Sequence, residues 1–306
     1  MLFLRLRFLN RRNCNARRNT MCNLIKKLLS FILSALLSLG TSIGLIPYRA
    51  TGAEIDLSRF ELAFSDEFDG DSLGSEWRSH HFGMGDTVKR RGSYWNRDLA
   101  QVESGQLHIK VKYLPNGTDG SSEPGWYTAG IDTGASYRQK YGYFETRCIL
   151  PKGAGLWGAF WMFSDGINDS SVSGADGTEI DIFESPYYSD CKNNKISANL
   201  HYGGYAQNHR QLVAKRCRVP GNPYEEFNTY GVEWNENGYI FYLNGKEWYR
   251  TDFGGKDNIA AVSEYMILSI EIDGKDAVPN REFMRNDLEN FESEMVVDYV
   301  RAYKYK

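Results

Sequence analysis

Acid is missing from the start of this chain: the first 53 residues hold nine Lys or Arg and no Asp or Glu. Within them Lys26-Lys27 precede an apolar stretch, Leu28–Ile46, and small residues follow before Glu54. Charged, apolar and small-residue zones in that order predict a secretory signal, starting at Met21 and cleaved after Gly40 or Ala53. The stretch is also almost long enough to span a bilayer, so a retained anchor is the alternative and the one membrane contact expected. Cysteine is scarce as well. Of five, Cys14 and Cys22 lie in the leader, leaving Cys148, Cys191 and Cys217. Their spacing excludes a zinc site and a dense disulfide framework. Cys191 and Cys217 can close one loop in an exported protein, or all three stay as thiols. Without the leader the balance falls from 36 basic and 39 acidic residues to 27 and 39, a net of −12. A chain so short of basic residues lacks the face that phosphate requires, which excludes nucleic acid as a partner. After Glu54 there is no helical periodicity, no linker, no repeat and no low-complexity tract, so residues 54–306 are expected to form one domain.

What is present is aromatic and β-patterned. Tyr, Trp and Gly are abundant (20, 7 and 30), a composition that suits a groove for a flat, neutral ligand such as a sugar. Short alternating runs predict strands at Gln106–Val111, Gly142–Cys148, Leu156–Met162, Glu179–Phe183, Ile196–Tyr202, Thr229–Trp234, Tyr239–Leu243, Met266–Ile272 and Met295–Tyr303. Turn residues separate them, and Asn244-Gly245 reads as a tight hairpin. Many short strands over this length indicate a sandwich or barrel.

Three carboxylates fall within six positions in Glu179-Ile180-Asp181-Ile182-Phe183-Glu184. Clustered carboxylates repel, so a fold that keeps them together usually uses them. On a regular strand Glu179 and Asp181 share a face, while Glu184, at an odd offset, points away. One extra residue near Ile182-Phe183, a β-bulge, would return Glu184 to its partners. Glu179 and Glu184 would then sit roughly 6–7 Å apart along the backbone, within reach of the roughly 5–5.5 Å separation of a retaining glycosidase. The plain alternative is an edge strand with its acids in solvent.

Eight segments, in order, resemble glycoside hydrolase family 16, and within it the bacterial endo-β-1,3-glucanases (laminarinases). They are Ser65–Gly70, Gly105–Leu107, Tyr141–Arg147, Gly155–Met162, the acidic strand, Asn199–Tyr202, Tyr230–Trp234 and Asp298–Tyr303. The resemblance implies an all-β, concanavalin A-like jelly roll of two curved antiparallel sheets with a concave substrate cleft. It implies secreted, endo-acting, retaining hydrolysis of a β-1,3-glucan by a monomer, with no cofactor for catalysis. Glu179 becomes the nucleophile, Glu184 the general acid/base with a raised pKa, and Asp181 the residue between them, sharing a hydrogen bond with Glu179. Mixed-linkage glucan and the marine galactans are alternative substrates; a net of −12 speaks against the sulfated ones. A non-catalytic, lectin-like carbohydrate binder is the alternative of a different class, and a transglycosylase would use the same residues.

Around the acids, Trp157 and Trp161 share a strand face with Ala159 and are expected as sugar platforms, with Phe160 and Met162 in the core. His201, on one face with Asn199, is expected to bind a sugar hydroxyl or Glu184. Trp95, in Trp95-Asn96-Arg97, falls where the family often presents sugar-binding loop residues. Arg147 either lines the cleft with Glu145 or pairs on the surface, and Trp234 is expected in the core. By resemblance Asp298, with backbone oxygens near Glu67 and Gly105, would hold a structural calcium.

Overall fold

The computed structural model describes residues 25–33, 35–36, 47–80, 87–118, 123–153, 155–168, 173–185, 194–212, 215–272 and 291–306. It divides into two compact units, Met1–Pro47 and Tyr48–Lys306. In the first, residues 25–33 and 35–36 are helical. No helix among the described residues is long and apolar enough to cross a membrane.

The second unit begins six residues earlier than the expected boundary at Glu54. Tyr48 donates its N–H to the Arg216 carbonyl at 2.7 Å and accepts from Arg218 N at 2.9 Å. Its ring lies 5.6 Å from that of Tyr249. Residues 48–53 therefore belong to this unit by pairing and packing, and a cut after Ala53 would remove them.

All nine expected strands form, most of them one to three residues longer than the sequence pattern suggests: Gln106–Leu114, Gly142–Ile149, Leu156–Phe163, Glu179–Ser185, Lys195–Tyr202, Asn228–Asn235, Gly238–Leu243, Tyr265–Ile272 and Glu292–Tyr305. The hairpin at Asn244-Gly245 forms with both residues at positive φ, 51° and 74°, the conformation Asn-Gly tolerates best. Among the described residues the strands make an eleven-stranded and an eight-stranded sheet. Pairing between named strands is antiparallel except for Ser93–Asn96 beside Gly125–Thr128.

Side-chain alternation builds the sandwich. From the eight-stranded sheet, Phe160 and Met162, Ile196, Ala198 and Leu200, and Met266, Leu268 and Ile270 point into the main core. Phe144, Tyr230, Val232 and Trp234 of the other sheet meet them there. The Phe183 and Tyr230 rings join the layers with centroids 4.4 Å apart; such a pair stabilises by about 0.5–1.5 kcal/mol beyond its buried area. Trp234 is fully buried, with its indole N–H on the Ala260 carbonyl at 3.1 Å, as expected of a core residue.

Because those positions face the core, their neighbours on the same strands face outward. Trp157, Ala159 and Trp161, then Ser269 and Glu271, then Lys195, Ser197, Asn199 and His201 all line one cleft. Cys148 and Cys217 are buried free thiols; Cys191 lies outside the described residues.

Candidate active site

The acidic strand breaks regular pairing where the spacing predicts. Against Leu156–Phe163, Phe160 pairs with Phe183 and Trp161 with Asp181, so Ile182 is the additional residue. Against Lys195–Tyr202, Asp181 pairs with Asn199 and Glu184 with Ser197, which leaves Ile182 and Phe183 opposite the single residue Ala198. Two successive apolar side chains, Ile182 and Phe183, consequently enter the core. Glu179, Asp181 and Glu184 all emerge into the cleft, whose volume is about 940 Å³. Gly177, two residues before Glu179, has φ 147°, and a Cβ there would lie 2.9 Å from that of Ser164. The entry to the strand thus requires glycine.

Each acid has a different neighbour. The Asn199 amide donates to Glu184 Oε2, and the Trp157 indole hydrogen-bonds the same carboxylate. The Tyr205 hydroxyl donates to Glu179 Oε2. His201 Nε2 stands 3.4 Å from Asp181 Oδ2 and 3.9 Å from Glu179 Oε1. Its Nδ1 lies 2.9 Å from Nε2 of His209. Asp181 Oδ2 is buried and accepts no aligned hydrogen bond. Of the two readings for His201, the bond to Glu184 is not formed: Asn199 holds Glu184, and His201 sits opposite Glu179 in the register. One expectation is corrected. Glu179 is held by Tyr205, with no hydrogen bond from Asp181 among the described residues.

Burial pushes all three carboxyls up to about 8. The charge of Asp181 adds to the rise in Glu179 and Glu184, and that of Glu271 to the rise in Asp181. Glu184 is raised as expected, and Glu179 and Asp181 are raised with it, because three neighbouring acids share the cost of ionisation. Ligand atoms of Glu179, Asp181 and His201 also lie within 4.8 Å of one another, close enough for a metal ion.

One flank of the acids is aromatic and basic. Trp161 is nearly buried, donates to Ser269 Oγ at 3.1 Å and meets the His80 ring edge-on at 5.2 Å. Trp157 is more open, with the Arg91 guanidinium 4.5 Å over its ring. Arg90 and Arg91 both bind the Glu271 carboxylate. On the other flank are His201, Tyr205, His209, Lys195 and Arg216. Neither Lys195 nor Arg216 pairs with an acid among the described residues.

Other sequence-derived candidates lie elsewhere. Trp95 is not a loop residue at the sugar but a buried one: its indole donates to the Ile270 carbonyl at 2.8 Å, and its ring packs with Trp161 and Ala159. It supports the cleft through Arg90, 4.7 Å over its ring. Arg147 belongs to the eleven-stranded sheet and does not line the cleft; it binds Asp298 at 2.5 Å and lies over Phe227. Of the two readings for Arg147, the ion pair is the one formed. Glu67 is gripped by Arg301 through two bonds of 2.9 and 2.8 Å. Register places Val297 opposite Leu107, near Gly105. Asp298 Oδ2 and the Glu67 carboxylate are thus engaged by guanidinium groups, so the calcium expected there would rest on the other Asp298 oxygen and on backbone oxygens.

Tyr205, His209, Arg90, Arg91 and Glu271 were not found from sequence. Glu271 and Ser269 alternate with Leu268 and Ile270, and Lys195 and Ser197 with Ile196 and Ala198, so period two would have added them. Tyr205 and His209 sit in a Gly-rich turn that gives no periodic signal.

Buried acids beside tryptophans in an open groove of a two-layer β-sandwich match the carboxylate pair that glycoside cleavage uses. A family model described as beta-porphyranase A–D, GH16 domain, matches residues 60–305, so the chain belongs to glycoside hydrolase family 16. Among curated relatives, the clotting factor G alpha subunit of Tachypleus tridentatus is 28% identical over 80% of this chain and 34% of its own length. The beta-glucanase of Rhodothermus marinus is 27% identical over 80% of this chain and 86% of its own length. The chain spans between a third and two fifths of the first three curated relatives it matches. Among solved structures, the catalytic domain of an endo-1,3-beta-glucanase (laminarinase) from Thermotoga petrophila RKU-1 superposes with a TM-score of 0.63 at 23% identity, covering 83% of this chain and all of that one. That likeness shows the fold, the jelly roll expected from sequence.

Proposed function

We propose that the protein is an exported, monomeric, endo-acting hydrolase that cuts a β-linked polysaccharide with retention, without metal or cofactor. The observation that carries this reading is the bulge at Ile182, which turns Glu184 onto the face of Glu179. Glu179 attacks the anomeric carbon while protonated Glu184 gives its proton to the departing glycosidic oxygen; water then opens the glycosyl ester with Glu184 as base. Asp181 keeps the pocket's charge low enough for Glu184 to hold that proton. β-1,3-Glucan is the leading substrate, supported by the beta-glucanase and laminarinase names among its relatives.

A second substrate, a sulfated galactan, is favoured by one observation that chain-wide charge conceals. Four basic and four acidic side chains line the cleft, yet three of those acids are pushed toward neutrality. Burial thus weakens the acids, so the four cations weigh more in the groove than chain-wide charge suggests, and the porphyranase description of the family model agrees. Reducing-sugar release by residues 41–306 from laminarin, lichenan, agarose and porphyran, side by side, tests both. Preference for laminarin supports the glucan, preference for porphyran moves the substrate, and silence on all four would refute the hydrolase.

A further inference from the structure

The two-carboxylate scheme makes no use of the turn after His201, yet that turn reaches the nucleophile. The chain leaves Lys195–Tyr202 through Gly203 and Gly204, both left-handed at φ 75° and 69°. A Cβ on Gly203 would stand 2.5 Å from the Asn208 carbonyl oxygen, so the tight return depends on glycine. His209 N closes the turn on the Ala206 carbonyl at 3.1 Å, and Arg210-Gln211 then pair back with Tyr202 and His201. The His209 ring stacks on His201 with centroids 5.1 Å apart and lies 5.6 Å from the Tyr205 ring. From this braced turn the Tyr205 ring, 54% exposed, extends over the groove and brings its hydroxyl to Glu179 Oε2.

Resting on the hydrolase reading above, we propose that Tyr205 is a positioning residue for the nucleophile. Its phenol fixes Oε2 and leaves Oε1 to face the anomeric carbon. In the first step Oε1 bonds to that carbon, the bond to the leaving oxygen breaks, and the Glu184 proton goes to that oxygen. Oε2 becomes the ester carbonyl and still accepts from the phenol. In the second step water bonds to the anomeric carbon, Glu184 takes its proton, and Glu179 leaves as a carboxylate whose returning charge the phenol stabilises. The contact suits this task because burial and the neighbouring Glu179 charge hold the Tyr205 hydroxyl in its protonated, donating form.

A donor to the charged form lowers a carboxyl's pKa. The other groups facing Glu179 stay in place when the phenol is removed: Asp181 and Glu184 on its strand, His201 and His209 on the neighbouring elements. Glu264 behind Thr178, and Glu271 with its two arginines across the groove, are equally undisturbed. Tyr205→Phe keeps the ring and deletes only the hydroxyl.

The experiment is a pH profile of kcat and KM for Tyr205→Phe on whichever polymer the enzyme prefers, with Tm measured in parallel. The expected result is a kcat about tenfold lower near pH 6 with KM unchanged. The acid limb of kcat/KM should move up by about one pH unit, with unchanged Tm. A variant matching the wild type in kcat and acid limb overturns the proposal. So does a change in KM alone, which would make the hydroxyl a hydrogen-bonding contact to the sugar. Full activity in Glu179→Ala would instead refute the hydrolase reading on which this rests, and with it the role of Tyr205.

Discussion

Two buried glutamates, one in each sheet, have nearly equal exposure and opposite chemistry. Glu233 in the eleven-stranded sheet is 2% exposed and Glu184 in the eight-stranded sheet 7%. Burial pushes both carboxyls up. For Glu233 the Arg59 guanidinium, at 2.9 and 2.6 Å, and the hydroxyls of Tyr305 and Tyr242 outweigh burial and leave it below the usual range. Glu184 receives an amide and an indole but no guanidinium, and with only the weaker pull of His201 against it burial wins. Burial alone therefore does not mark a working acid; Glu184 is set apart by lining the open cleft without a guanidinium partner.

The largest effect should come from removing the two cleft glutamates that no guanidinium binds. Glu179→Ala and Glu184→Ala should each lower hydrolysis on the order of 10⁴-fold with circular dichroism unchanged. NMR of early wild-type products should show the β anomer; an initial α anomer would exclude retention. Next comes the structural acid. Glu233 contributes stability above its unfolded pKa, and that contribution is lost as pH falls through its lower folded value. Glu233→Gln should cost about 1–3 kcal/mol at pH 7, less than a fully buried pair because Arg59 is half-exposed. Chemical denaturation at pH 7 and pH 3 checks it, since the difference should shrink in acid.

Asp181 should behave in the opposite sense. Its folded pKa is raised, so the stability it contributes is full below about pH 4 and lost as pH rises toward 8. Asp181→Asn should raise Tm by a few degrees at pH 8 and hardly at all at pH 4. An unchanged Tm at pH 8 would show that the cluster is not strained by charge. The smallest effect belongs to Lys195→Ala and Arg216→Ala. Each should slow hydrolysis of a sulfated galactan roughly 3- to 10-fold and leave laminarin untouched, the gap closing in 1 M salt. Equal losses on both polymers would remove the anionic reading.

The strands and the acidic triad were legible because alternation is a local rule. Ile180 down and Asp181 up follows from the period, and the bulge at Ile182 from the odd offset of Glu184. What lay beyond reach depended on distant partners. Trp95 reads as an exposed loop aromatic until the parallel pairing with Gly125–Thr128 turns it under Trp161. Arg147 has no preferred side until Asp298 arrives from a strand about 150 residues away. Local charge in the groove was hidden for a different reason: a chain-wide sum gives surface acids the same weight as the three whose ionisation the pocket suppresses.

The additional residue at Ile182 separates two kinds of distance. Along the chain the outer acids stand five apart; on the sheet face they stand as if four apart, because one position is swallowed by the core. The same pair of carboxylates therefore has two spellings, a longer one with a kink and a shorter one on a flat strand. A search that fixes the number of letters between acids would file two equivalent sites as unrelated words. Counting the side chains that remain on the outer face would read them as one.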